Sequence, residues 1–344
     1  MDADHQQQIR RFLQRTIWFL LAPLVAYLPF GILFHEQLLE RSKGPSVQKQ
    51  ILGAFERAQE RDIELLILGN SRMYRGLNPD HFSLPDFNLA HDDDSFNQMY
   101  YKLLWLEEQQ KDIRVLVMGV DYFQFGVCSD RRNYVYSTLF APEYTDDYPP
   151  VSIFNKRRWV RPGFFNGINP KHLFADGHGR PFVRDNGQYI RPGTASPMDF
   201  VPRDTERLPL QVGYFERILQ HCEQRNIEVF LCLLPIRPEE KRAYREGEID
   251  EFVAFLTPYA QHKVHLVDLT DRPDFGMEDY TDITHLNEAA ADRLSGVLNG
   301  VVCAQLEQDP RLEMIAEPHS SPAKSARTAI RMLPVSHSQE TLAP

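Results

Sequence analysis

Cysteine is scarce and poorly spaced for chemistry. The chain has four, Cys128, Cys222, Cys232 and Cys303, none in a C-x-x-C pair, which excludes a zinc ribbon and a thioredoxin-type motif. Cys222 and Cys232 fall in apolar, regular stretches and read as small buried hydrophobes. An exported domain could hold one disulfide, and the spacing favours no particular pairing. Positive charge is not concentrated either. Lys and Arg number 38 against 48 Asp and Glu, for a net charge of −10. With no long basic stripe, a nucleic-acid partner is excluded, because phosphate binding needs clustered cations. Mean hydropathy is negative, which excludes a polytopic membrane protein. Apolar residues at 42% and charged residues at 25% suit an ordinary folded domain. No internal repeat is visible, and 344 residues allow one large domain or two modest ones.

One long hydrophobic run stands out. Residues 16–34, TIWFLLAPLVAYLPFGILF, carry no charge. About 20 apolar residues in a helix cross the roughly 30 Å hydrocarbon layer, so the run predicts one transmembrane helix. Trp18 and Tyr27 are compatible with it, and membrane helices tolerate kinks of the kind Pro23 and Pro29 impose. Arg10, Arg11 and Arg15 precede the run, and Glu36, Glu40, Arg41 and Lys43 follow it. The positive-inside bias then leaves residues 1–15 in the cytoplasm and exports the remainder. A cleaved leader has a shorter apolar core and a small-x-small site. Residues 35–42, HEQLLERS, offer no such site, so an uncleaved anchor is expected.

The rest alternates short apolar runs with amphipathic stretches. Strands are expected at 63–68, 87–90, 115–120, 227–234 and 264–269, and helices at 47–61, 96–110, 210–225, 239–259 and 286–306. Continuous apolar runs such as LLIL before Gly69 suit strands buried on both faces of a parallel sheet. Alternation of this kind implies right-handed crossovers, and hence an α/β fold with a flavodoxin-like parallel sheet sandwiched by helices. The domain is expected over 45–310. An irregular insertion at 128–209, rich in Pro, Gly, Tyr, Phe and Arg, is expected over the carboxyl ends of the strands. The Ser/Pro/Ala-rich stretch 318–344 is expected to be disordered.

Two short motifs carry chemistry. Leu-Gly-Asn-Ser-Arg, 68–72, follows the first strand, so Ser71 lies at the carboxyl edge of the sheet, where open α/β folds bind ligands. Gly69 permits a tight turn, Asn70 lies beside the serine, and the Ser71 N–H is available to a developing oxyanion. Asp-Ile-Thr-His-Leu-Asn, 282–287, precedes the last helix. His285 can take a proton from a serine while Asp282 orients the ring. Arg72 and Arg75 could position an anionic polymer or carboxylate, or be solvated loop charges. Asp92, Asp93 and Asp94 lack the Gly and Glu of an EF-hand loop, so no metal and no cofactor are expected. His81, His91, His172 and His178 have no useful partner spacing.

This pairing of motifs, in this order, resembles the SGNH (GDSL-like) hydrolase superfamily. The closest likeness is to its membrane-anchored bacterial branch, which includes alginate acetylation proteins and the D-alanine transfer protein of teichoic acid synthesis. The resemblance covers roughly residues 64–306 without the insertion. It implies Ser71 as nucleophile, His285 as base and Asp282 as orienting acid. It also implies acyl transfer to, or ester hydrolysis on, a glycan or envelope polymer, with room for a membrane-bound acyltransferase as partner. The expected location is the bacterial inner membrane, with the domain facing the periplasm or cell exterior. Two blocks depart from the family pattern. The second, 88–95, has no Gly, and Asp92 to Asp94 stand there instead. The third, 119–123, has Asp121 in place of Asn, and an ionised Asp cannot donate to an oxyanion. Asp94 and Asp121 are thus oxyanion or substrate positions by analogy, and turn or helix caps by chemistry. The departures support one alternative, a non-catalytic anchored accessory protein that keeps the fold and binds polymer or a membrane partner. A third reading, independent of them, is a soluble esterase with a cleaved leader.

Overall fold

A computed structural model describes residues 3–34, 37–38, 40, 44–129, 132–147, 170–174, 181–197, 200–307 and 331–332. The chain divides into two compact units, one of residues 1–46 with 149–180, the other of residues 47–148 with 181–344. In the first unit, helix α1 spans Ala3–Leu33. Its stretch His5–Leu33 is long and apolar enough to cross a membrane, with mean hydropathy 1.9 and only 6% of its most apolar window buried. The helix begins well before residue 16, because residues 3–15 contain no helix breaker. Phe12, Trp18 and Phe19 project outward, each more than 60% exposed.

In chain order the second unit contains α2 (Val47–Glu60), β1 (Leu65–Leu68), α3 (Ser71–Gly76), β2 (Asp86–Asn88) and α4 (Phe96–Glu108). Next come β3 (Val115–Gly119), α5 (Asn133–Tyr136), β4 (Phe182–Val183), β5 (Tyr189–Ile190) and α6 (Pro209–Gln224). It ends with β6 (Glu228–Leu233), α7 (Pro238–Ala243), α8 (Glu248–Leu256), β7 (Val264–Asp268), α9 (Glu288–Leu306) and β8 (Arg331–Met332). The main sheet has the order β2-β1-β3-β6-β7-β8. Five strands pair in parallel and β8 joins β7 antiparallel. The parallel five follow the flavodoxin-like order, in which chain direction across the sheet reverses between β1 and β3.

The apolar runs explain this sheet directly. Leu65 and Ile67 join one core with Val115, Val117 and Phe230, while Leu66 and Leu68 join the other with Leu116, Met118 and Leu231. Alternate residues therefore feed opposite faces, and each face is covered by helices: Phe55, Met99, Leu103, Phe215 and Phe252 on one side, Met73, Leu294 and Leu298 on the other.

Three expectations need correction. The helix expected over 239–259 is broken between α7 and α8, where Gly247 takes φ 80°, a left-handed conformation that glycine adopts without steric cost. Residues 331–332, within the stretch expected to be disordered, pair with Val267 and Asp268; the rest of 318–344 lies outside the described residues. Within the 128–209 insertion, β4 and β5 form an antiparallel hairpin. No disulfide joins the four cysteines, and burial pushes the Cys222 thiol up to about 12, which makes it unreactive.

Candidate active site

The site begins where β1 ends. Gly69 and Gly119 lie side by side at the carboxyl ends of β1 and β3, and Met73 of α3 wedges between them. A Cβ on Gly119 would meet Met73 Cγ at 2.3 Å, and one on Gly69 would do the same. This close approach seats α3 directly over the sheet edge. Asn70 caps α3, its side chain accepting from the Arg72 N–H at 2.9 Å. Ser71 is therefore the first helical residue, where a backbone N–H has no partner within the helix. Gly119→Ala is expected to push Met73 and α3 off the sheet, costing about 1–3 kcal/mol, and Met73→Ala in the same chain should restore most of it. Thermal denaturation of both variants checks this.

The last loop brings the second motif to the same edge. His285 Nε2 lies 2.8 Å from Ser71 Oγ. On the other side of the ring, Nδ1 lies 2.7 and 2.9 Å from the two Asp282 oxygens. Asp282 is fixed in turn by the backbone N–H groups of Thr284 and His285, each 3.1 Å from Oδ1. Burial raises the Asp282 carboxyl, but the His285 hydrogen bond, the Thr284 N–H and the Arg75 charge outweigh it and hold it well below the usual carboxylate range. An ionised Asp282 makes Nδ1 the protonated nitrogen, so Nε2 accepts the Ser71 proton. For His285, burial is the largest influence and lowers its proton affinity. Asp282 raises it, Arg75 lowers it again, and the net is below the ordinary value.

Of the residues expected to bind substrate, Asn70 and Asp94 line a cavity beside Ser71, whereas Arg72 and Asp121 do not. Arg72 is 2% exposed and faces inward. It donates to the Leu234 and Pro235 carbonyls at 3.3 and 2.6 Å and lies 3.3 Å from Asp121 Oδ1. Asp121 Oδ2 accepts from Asn70 Nδ2 at 2.7 Å. Asn70, Arg72 and Asp121 thus form a buried brace beneath the serine. Glu240, 3.8 Å from Arg72 and bonded to the Tyr122 hydroxyl, belongs to the same brace, and burial pushes it up to about 7. Asp94 is 2% exposed. Its carboxylate accepts from Lys102 Nζ at 2.5 Å, from the Tyr136 hydroxyl at 2.7 Å and from the His91 N–H at 3.1 Å. Arg75 turns to His285 and Asp92 instead of solvent.

The acidic run therefore does not present three bare carboxylates. Asp92 pairs with Arg75 at 2.9 Å, Asp93 with Arg132 at 3.6 Å and Asp94 with Lys102. The Asp94 N–H closes a turn onto the His91 carbonyl at 3.3 Å, and Asp93 within it has φ 61°. That is the left-handed region, which Asp tolerates better than most residues, so Asp93 takes a backbone shape that favours glycine without being glycine. Beside Ser71, a cavity of about 350 Å³ is lined by Phe123, Gln124, Val127, Asp93, Arg203 and the Asn70–Ser71 step, among others. The Arg203 guanidinium lies 4.1 Å over the Phe123 ring.

Comparison with known proteins adds little to this geometry. A protein-family model matches residues 205–307, well short of half the chain, and its description assigns no activity. No curated protein matches the chain. A solved structure from Streptococcus pneumonia, provisionally named a platelet activating factor, is similar at 14% identity and a TM-score of 0.37, covering 74% of this chain and 94% of that one. A likeness of that degree carries no argument about this chain.

Sequence reasoning missed the hairpin that completes the site. Asn186-Gly187 is a strong hairpin signal between short β-prone runs. Gly187 takes φ 92°, and a Cβ there would meet the Asn88 carbonyl oxygen at 2.0 Å. The Asn186 carbonyl accepts from the Asn88 N–H at 3.0 Å, so the turn docks on β2. Gln188 Nε2 then reaches the Arg75 carbonyl at 3.1 Å, the Tyr189 ring lies 5.2 Å from the Arg75 guanidinium, and Arg191 lies 3.6 Å from Asp282.

Proposed function

We propose that the chain is a membrane-anchored serine acyl-ester enzyme of the SGNH type, working outside the cytoplasmic membrane on a glycan or envelope polymer. The observation that carries this reading is the continuous Ser71–His285–Asp282 hydrogen-bonded line at the switch point of the sheet. In the proposed reaction, Ser71 Oγ attacks the acyl carbonyl while its proton passes to His285 Nε2. The carbonyl oxygen takes the negative charge, faced by the Ser71 N–H. Collapse breaks the ester C–O bond, the leaving oxygen takes the proton from Nε2, and the acyl group remains on Ser71. A sugar hydroxyl or water then reverses the sequence. The cavity beside Ser71, with Phe123 and Val127 on its wall, has room for a short acyl group and part of an acceptor.

Transfer is preferred to hydrolysis through the resemblance to the anchored polymer-modifying branch. The anchor in α1 and the arginines before it support an exported domain. One feature favours the accessory reading: Asp121 stands where the superfamily has a donor, and it is committed to Asn70 and Arg72. The test is acyl release from an activated acetyl ester by the full-length chain in detergent, with and without an oligosaccharide acceptor. Turnover with acyl moved to the acceptor supports the enzyme. Absence of turnover, with and without acceptor, favours the accessory protein.

A further inference from the structure

His285 Nδ1 has more neighbours than it has protons. Both Asp282 oxygens lie within 2.9 Å of it, and Arg75 Nη1 also lies 2.9 Å away. Nδ1 can donate to Asp282 or accept from Arg75, but not both. Asp282 is ionised and held by two backbone N–H groups, so it takes the proton. The Arg75 guanidinium is left as a positive charge against the ring edge, without a hydrogen bond to it. Such an arrangement persists only if the arginine is held from elsewhere. Asp92 grips its Nη2 with both oxygens, at 2.9 and 3.0 Å, the Tyr189 ring lies 5.2 Å from it, and Gln188 fixes its backbone.

We propose that Arg75 and Asp92 form an electrostatic couple that positions charge against His285 and sets the pH range over which it serves as base. The inference deepens the reading of this site as a serine-dependent one. Arg75 disfavours the imidazolium, which keeps the base ready at lower pH and promotes return of the proton to the leaving oxygen. Asp92 partly offsets that charge. Among the described residues, other charged or titratable groups face this cluster: Ser71 on α3 touches the ring, Arg191 lies 3.6 Å from the Asp282 carboxylate, Arg237 donates to the Asp282 carbonyl at 2.9 Å, Arg132 lies 3.8 Å from Asp92, and Tyr189 lies against Arg75. Arg191 and Asp282 also pair opposite signs, but only the Arg75–Asp92 pair sets its cation against the ring nitrogen, at 2.9 Å. Arg75 acts through His285, so it is a positioning residue.

The test uses the full-length chain and reads two quantities. One is the acid limb of the kcat/KM profile on an activated acetyl ester, which reports protonation of the free enzyme's base. The other is the NMR titration of the His285 ring in ¹⁵N-histidine-labelled protein, which needs no activity. Arg75→Gln is expected to move both upward by roughly one pH unit or more. Asp92→Asn is expected to move them downward, and Arg75→Lys to stay near the parent value. Opposite shifts cannot arise from a shared loss of packing. The couple is overturned if Arg75→Gln and Asp92→Asn move the ring titration in the same direction, or if neither moves it. If Arg75→Gln does not fold, Asp92→Asn and Arg75→Lys decide the matter by the sign of the first and the silence of the second. A ring that titrates as expected in a chain without turnover would retain the couple and remove only the enzymatic reading.

Discussion

Ser71→Ala and His285→Ala are each expected to lower kcat/KM by about 10⁴-fold or more, with the double variant scarcely worse than either alone. The reason is geometric. One proton moves along one line from Oγ to Nε2, and both groups are needed for it to move. Removing either leaves only cavity binding and the Ser71 N–H. Asp282→Asn should cost comparably, because an amide at that position no longer requires Nδ1 to carry the proton and allows the ring to present the wrong nitrogen to Ser71. Initial-rate kinetics on an activated acetyl ester, with folding checked by near-UV circular dichroism, measures all of these.

Lys102→Met is expected to be the most destabilising single change outside the site, by about 3–5 kcal/mol, or a Tm drop of roughly 10 °C. Lys102 is fully buried. Its ammonium binds Asp94 and the Leu89 carbonyl, each at 2.5 Å, and His91 Nδ1 at 2.8 Å. Burial pushes Lys102 down and Asp94 up, so each group depends on the other for its charge. Methionine fills the volume but strands the Asp94 carboxylate. Asp94→Asn combined with Lys102→Met should recover much of the loss, because a neutral pair no longer buries an unpaired charge. Calorimetry on the two variants separates these outcomes: equal Tm values would mean that packing, not charge, makes the contribution. Because Asp94 also closes the turn beneath Asp92, the single variant is expected to disturb Arg75 as well.

The parts legible in the sequence are those written in contiguous residues. The runs LLIL, VLVMG and EVFLCL specify strands buried on both faces, and their order along the chain specifies a parallel sheet. The Gly-Asn-Ser turn and the Asp-x-x-His loop are local too, and sheet geometry brings both to one edge. Polar roles made through space were not legible. Its sequence position leaves Arg72 as either a substrate-positioning or a solvated charge, yet its guanidinium turns under α3 to the Leu234 and Pro235 carbonyls just after β6. Asp92, Asp93 and Asp94 form one contiguous acidic run, but the cations that pair with them, Arg75, Arg132 and Lys102, come from three separate segments. The hairpin within the insertion did carry a local signal, the Asn-Gly step, but the surrounding Pro- and Arg-rich composition masked its short strands. A two-residue strand buries too little to show a period, and β4 and β5 are stabilised by docking on β2 rather than by their own pattern.

The most direct test of the account is whether Ser71 is a nucleophile. Treating the intact, detergent-solubilised chain with a fluorophosphonate and mapping the adduct by peptide mass spectrometry reads this in one step. The account predicts a single stoichiometric adduct on Ser71, slowed sharply in His285→Ala and absent in Ser71→Ala. An intact, folded chain that stays unlabelled, or that carries the adduct on another residue, would contradict it.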